Sequence, residues 1–190
     1  MSDASVPAAF ILALQHLHEW LESEGVPYAA IGGIAVSLLA QPRATQDIDL
    51  VIWLDQDQWG RLLESGAQYG FELRLADALA FAERARVLLF RHSASSINVD
   101  ISCGALPFEQ EMIERAQTIR IGEWQLRVPT PEDLVITKAV AHRAKDIADI
   151  ESLINVYPDL DAERVRYWVR EFAEALEMPD LLTTIERLLP

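Results

Sequence analysis

The chain has 190 residues, 51% hydrophobic and 24% charged, with 30 acidic against 16 basic side chains and a formal net charge of −14. So many apolar residues suffice for the core of one domain of ordinary size, which excludes disorder as the main state. The acid excess excludes a protein that coats nucleic acid through many phosphate contacts, because such binding needs Lys and Arg to release counterions.

Residues 1–7 lack the basic and apolar segments of a signal peptide, so a cytoplasmic location is expected. Residues 8–23 carry Ile11, Leu12, Leu14, Leu17, Trp20 and Leu21 at helical spacing and stop near Gly25 and Pro27, which predicts an amphipathic first helix. Residues 28–31 form a short apolar run broken by Gly32-Gly33, and residues 34–39 then suit a helix ending before Pro42. The pattern is strand, glycine turn, helix. The apolar stretch 28–40 is only 13 residues long, against about 20 needed to span a bilayer, so no membrane association is expected.

Residues 48–54 are rich in β-branched and aromatic side chains and predict a buried strand ending at Asp55. Asp55 with Gln58 three positions on resembles a helix cap and its capping-box partner, opening a helix to about residue 68. Residues 87–91 and 97–102 are expected to pair as a hairpin. The single cysteine, Cys103, cannot close an internal disulfide, which suits a reducing compartment. A helix over 108–116 and a second hairpin, 118–121 with 125–128 around Gly122-Glu123, complete the first part. Thr130-Pro131-Glu132-Asp133 then combines a capping residue, a first-turn proline and two early acids. Helices follow over 134–142, 146–155, 161–176 and 180–188. The predicted organisation is an α+β core over residues 1–130 and a helical subdomain over 131–190.

Three places carry candidate chemistry. Asp47 and Asp49 are two apart at the start of an apolar strand, so both carboxylates share one face, about 6.7 Å apart at the backbone. Two other Asp-x-Asp pairs, Asp55/Asp57 and Asp159/Asp161, sit at helix starts and are assigned to capping. Asp47 and Asp49, flanked by Ile48, Leu50, Val51 and Ile52, face partial desolvation, which a cation would relieve. Gly32-Gly33 lets backbone approach a ligand and aims helix N–H groups at phosphate, although it also reads as a plain tight turn. Asp100 lies within a second apolar strand and faces the same desolvation. Asp77 or Glu83 would replace it under a different strand pairing.

Fourteen of the basic residues are Arg and two are Lys, at 138 and 145. Either Lys is rare throughout, or it is kept where a compact point charge is wanted. A continuous helix would place Lys138 and Lys145 on one face, two turns apart. Residues 115–145 hold six basic side chains against three acidic ones, a local excess of +3. His16 and His18, two apart on a helix, are expected to diverge rather than chelate. Ser93, Ser95 and Ser96 lack a nucleophile-elbow setting, and Trp53, Trp59, Trp124 and Trp168 have spacings suited to packing.

Taken together, Ile31-Gly32-Gly33, Asp47-Ile48-Asp49-Leu50 and Val99-Asp100-Ile101 resemble the pattern of the DNA polymerase β-type nucleotidyltransferases. Within that superfamily, Arg43 to Asp49, with Glu132-Asp133-Leu134, Lys138, Arg143, Lys145-Asp146 and Asp149, looks like the AbiEii-type bacterial nucleotidyltransferases. The resemblance covers roughly residues 28–155. It implies a mixed sheet flanked by helices, with Asp47, Asp49 and Asp100 on neighbouring strands around two Mg²⁺. It further implies transfer of an NMP group from an NTP to a hydroxyl acceptor with release of pyrophosphate. Asp100 would take the acceptor's proton, Gly32 and Gly33 would hold the triphosphate, and Lys138 would face the leaving pyrophosphate. Arg143 and Lys145 are further nucleotide-binding candidates, while Arg43 would reach the nucleotide or acceptor, or pair with a nearby acid. Thr45 would orient the loop. Asp146 and Asp149 would support Arg143 or Lys145 rather than bind metal.

The resemblance suggests a toxin-like or orphan enzyme acting on an RNA 3′ end such as that of tRNA, with a possible cognate antitoxin. The rivals are a small cationic acceptor, as for aminoglycoside-type enzymes, and a non-catalytic nucleotide sensor. The net charge favours the cationic acceptor, and the local +3 favours RNA.

Overall fold

The computed structural model describes residues 8–42 and 44–189. A five-stranded mixed sheet has the order β1-β2-β5-β4-β3, built from β1 (Tyr28–Ile31), β2 (Asp47–Ile52), β3 (Phe71–Leu73), β4 (Val87–His92) and β5 (Asn98–Cys103). Only β2 and β5 run parallel; β1 pairs antiparallel with β2, β4 with β5 and β3 with β4. A separate hairpin joins β6 (Gln117–Ile121) and β7 (Trp124–Val128).

Alternation along the strands divides the sheet into two faces with different fates. Ile48, Leu50, Ile52, Val99, Ile101, Leu88 and Phe90 are all buried on one side. Helix α1 (Ala8–Ser23) lies against this side: Trp20 stacks on Phe71 at 5.2 Å and meets Phe90 edge-on at 5.1 Å. The Trp20 indole N–H, which would be costly to bury alone, donates to Ser65 Oγ at 2.8 Å. The opposite side carries Asp47, Asp49, Asn98, Asp100, Leu89 and Arg91, none of them fully buried.

Helix α2 (Gly32–Leu39) follows β1 without a linker. After β2, a 3₁₀ turn (Gln56–Gln58) leads into α3 (Trp59–Ser65) and a second 3₁₀ turn (Gly66–Tyr69). Strand β2 therefore ends at Ile52, earlier than the sequence predicts, and the Asp55 side chain makes no capping bond. A 3₁₀ start has tighter geometry than the α-helical capping box assumes. Strand β3 and helix α4 (Ala78–Ala85) lie where the sequence analysis placed no element.

Helix α5 (Pro107–Glu114) precedes the β6–β7 hairpin. Helix α6 (Pro131–Ala141) begins as predicted, with Thr130 Oγ1 accepting from the Asp133 N–H at 3.3 Å. Helices α7 (Ala144–Val156), α8 (Ala162–Ala175) and α9 (Asp180–Leu188) complete the chain. Asp161 caps α8 through the Arg164 N–H, the role assigned to it from sequence. Phe108 of α5 meets Trp168 and Phe172 of α8 edge-on, at 5.2 and 5.4 Å. Buried Asp133 receives Arg164 at 2.8 Å, and Arg164 also bonds Glu111 at 2.6 Å. One apolar cluster runs from Phe10 to Leu189 and joins the sheet to the C-terminal helices. Among the described residues no helix is long and apolar enough to cross a membrane.

Candidate active site

The candidate site forms where β1 turns into α2. Gly32 has φ +64°, a left-handed conformation that disfavours side chains, and a Cβ at this position would collide with Asp49 Oδ2. Backbone and carboxylate thus approach as closely as the chain allows. The cause lies in the register: Ile31 pairs with Asp49, and Asp49 in turn pairs with Asp100 on β5. Asp47 sits one row away, opposite Asn98, on the same face. The pairing that would have substituted Asp77 or Glu83 for Asp100 does not occur; both belong to the α4 region.

A cavity of about 410 Å³ opens here, lined by Gly32, Gly33, Thr45, Asp47, Asp49, Lys138, Arg143 and Lys145. Gln46 and Thr137, which the sequence reasoning did not single out, also line it. Thr45 Oγ1 donates to the Asp47 carbonyl at 3.1 Å and so braces the start of β2. Arg43 lies outside the described residues. Asp100 is adjacent to the cavity by register but does not line it, because its carboxylate is engaged by Arg74 Nη1.

The basic side of the cavity is built by two helices, as the separate predicted segments 134–142 and 146–155 imply, and not by one continuous helix. Helix α6 stops at Ala141, His142 takes a left-handed conformation with φ +49°, and α7 starts at Ala144. Lys138 and Lys145 therefore belong to different helices and do not share one helix face. Lys138 is no solvated helix charge: its side chain is 4% exposed, held by Asp149 at 2.8 Å and Asp146 at 3.2 Å. Asp146 also accepts from Arg143 Nε at 2.6 Å. Asp146 thus supports Arg143 as expected, but the main partner of this acidic pair is Lys138 rather than Lys145. The local +3 charge is dispersed, since Arg115 pairs with Asp133 and Arg127 bonds the Ile113 carbonyl.

Electrostatics divide the acids into two kinds. Burial pushes the Asp49 carboxyl above its ordinary value, and Asp47 and Asp100 add repulsion that Lys138 and Arg143 only partly offset. Burial would also raise Asp146, but hydrogen bonds from Arg143 and Lys138 outweigh it and hold that carboxyl below its usual value. Asp146 is a satisfied structural anion, whereas Asp49 lacks sufficient positive charge. Among the described residues no three His, Cys, Asp or Glu side chains are gathered as a ready metal cluster. Asp47 and Asp49 nevertheless offer hard oxygen donors, and the electrostatic state of Asp49 is one that a divalent cation such as Mg²⁺ would relieve.

His16 and His18 diverge as expected, His16 contacting His92 and His18 contacting Tyr28. The residue missed entirely was Arg74. Its only sequence signal was its place in the alternating run Phe71-Glu72-Leu73-Arg74-Leu75.

The family model described as "Nucleotidyltransferase of unknown function (DUF6036)" matches residues 12–179. No curated protein matches the chain in sequence. Among solved structures, an antigenic nucleotidyltransferase-like protein from Paracoccidioides brasiliensis is 18% identical, with TM-score 0.53, covering 95% of this chain and 93% of that one. The antibiotic-resistance factor ANT(2'')-Ia is 14% identical with TM-score 0.60, covering 92% and 97%. The lincosamide antibiotic adenylyltransferase LnuA, lincomycin-bound, is 15% identical with TM-score 0.51, covering 75% and 95%. At these identities the likeness is one of fold, that of the polymerase β-like nucleotidyltransferases.

Proposed function

Since the chain belongs to the nucleotidyltransferase family of unknown function DUF6036, we propose that its cavity moves an NMP group from an NTP to a hydroxyl acceptor and releases pyrophosphate. The observation that carries this reading is the approach of the Gly32 backbone to the Asp49 carboxylate inside a cavity whose other wall is basic. Asp47 and Asp49, with Asp100 beside them, would hold Mg²⁺. Bound there, the metal supplies charge to phosphate oxygens in an in-line displacement. Gly32 and Gly33, at the start of α2, present backbone N–H groups to the triphosphate. Lys138, shared between Asp146 and Asp149, holds the wall that faces the leaving pyrophosphate, and Arg143 and Lys145 stand at its exposed edge. Asp100 takes the acceptor proton.

For the acceptor, we favour the 3′ end of an RNA such as tRNA, with the enzyme a toxin-like or orphan member of the AbiEii type. A cognate antitoxin would be its natural partner in the toxin-like case. The support is local: beyond Asp100 the open sheet face carries Arg91, which makes no ion pair among the described residues, and the cavity carries exposed Lys145. The second reading, a small cationic acceptor, is favoured by the net charge of −14 and by fold likeness to the factor ANT(2'')-Ia. The test incubates each labelled NTP and Mg²⁺ with total bacterial RNA, beside a panel of aminoglycosides. Label on RNA that disappears in Asp49→Asn supports the first reading, and label on an aminoglycoside supports the second. NTP binding without transfer to either points to a nucleotide sensor.

A further inference from the structure

The open face of the sheet continues past the proposed metal site in one transverse row. Ile31 pairs with Asp49, Asp49 with Asp100, and Asp100 with Leu89. The row ends at Arg74, one residue beyond β3, whose N–H donates to the Leu89 carbonyl at 3.0 Å. That bond fixes the Arg74 backbone two strands from Asp100, and the side chain crosses Leu89 to place Nη1 on Asp100 Oδ1. Among the described residues Arg74 is the sole ion-pair partner of Asp100. Asp47 and Asp49 lie on the other flank of Asp100, with Lys138 and Arg143 across the cavity. Asp100 is therefore drawn in two directions. A guanidinium holds it from the β3 side, and a cation seated on Asp47 and Asp49 would draw it from the β2 side.

We propose that Arg74 is a positioning residue that holds the Asp100 carboxylate while the site lacks metal and yields it when a divalent cation binds Asp47 and Asp49. The idea rests on the nucleotidyltransferase reading above and adds to it a built-in competitor for the third carboxylate. The exchange is feasible because the pair is only partly shielded: the Arg74 and Asp100 side chains are 32% and 37% exposed. An ion pair at such exposure is worth little, so a divalent charge outcompetes it.

The test is a titration of Mn²⁺ without nucleotide, reading free Mn²⁺ by electron paramagnetic resonance. Arg74→Gln is expected to tighten Mn²⁺ binding about two- to fivefold, the worth of a partly exposed ion pair. In an Asp100→Asn background the same substitution should change nothing, because its target is gone. Melting curves establish that each variant is folded; should Arg74→Gln fail to fold, Arg74→Met, which keeps the aliphatic stem, is read in the same way. Unchanged or weaker Mn²⁺ binding in a folded Arg74 variant overturns the proposal and leaves the nucleotidyltransferase reading intact. Wild-type Mn²⁺ binding that survives Asp49→Asn overturns the metal assignment itself.

Discussion

Gly32 and Asp49 show how closely the site is built at the scale of single residues. Gly32→Ala puts a side chain on a backbone at φ +64° and into the Asp49 carboxylate. The conformational strain alone costs on the order of 1 kcal/mol, and the collision displaces the group proposed to hold metal. The variant should fold, melt a few degrees lower and lose transfer activity, which thermal melting and the labelled-NTP assay measure side by side. Asp49 makes the opposite prediction for stability. Its folded-state carboxyl is raised above the ordinary value, so the folded chain binds a proton more readily than the unfolded one. Stability of the metal-free protein therefore falls as pH rises from the ordinary carboxylate value through the raised one. In EDTA near neutral pH, Asp49→Asn should be more stable than wild type, by an amount on the order of 1 kcal/mol. The gap should close as the pH is lowered and Asp49 takes its proton. A variant that melts below wild type at neutral pH without metal would show that Asp49 is already adequately compensated.

Between elements, the decisive device is the buried group of Lys138, Asp146 and Asp149, which joins α6 to α7 across the break at His142. Removing Asp146 leaves Lys138 paired with Asp149 but takes away its second acceptor and the acid that Arg143 bonds. Asp146→Ala should cost about 1.5–3 kcal/mol, the worth of hydrogen bonds to charged groups. Its acid titration should also differ from that of Asp49: the stabilisation from Asp146 is present above the ordinary carboxylate value and lost as pH falls through its depressed folded value. Chemical denaturation of wild type and variant across this acidic range measures both. This device was not legible in the sequence. The scarcity of lysine marked Lys138 and the break between helices 134–142 and 146–155 was expected, but nothing local in the sequence shows that Asp146 and Asp149 turn inward onto Lys138. Features with local causes were read well. The first helix followed from its spacing, the α6 cap from Thr130-Pro131, and both hairpins from apolar runs around short turns. Strand β3 was missed because three residues carry too little pattern, and Arg74 with it, since its pairing to Asp100 exists only after β3, β4 and β5 assemble.

At the scale of the whole molecule, charge decides between acceptors. The net −14 repels RNA at a distance, and the basic residues of the C-terminal half do not gather into a patch, because Arg115, Arg127 and Arg164 are spent on internal partners. What an RNA end would meet is small: Arg143, Lys145 and Arg91 around the cavity and the open sheet face. Three phosphate contacts on a single strand give a log–log dependence of affinity on salt with slope about −2, far shallower than that of a general nucleic-acid binder. Lys145 is the most informative of the three, being exposed, at the rim of the cavity and without an ion pair among the described residues. Lys145→Glu changes the local charge by two without touching the Lys138 group. If the acceptor is an RNA end, this variant should raise KM for RNA several-fold and flatten the salt dependence by about one phosphate contact. If the acceptor is a small cation, the same variant should lower KM for it, because the rim becomes more attractive to positive charge. The two readings thus predict changes of opposite sign from one substitution, measured by initial rates of NMP transfer at two ionic strengths.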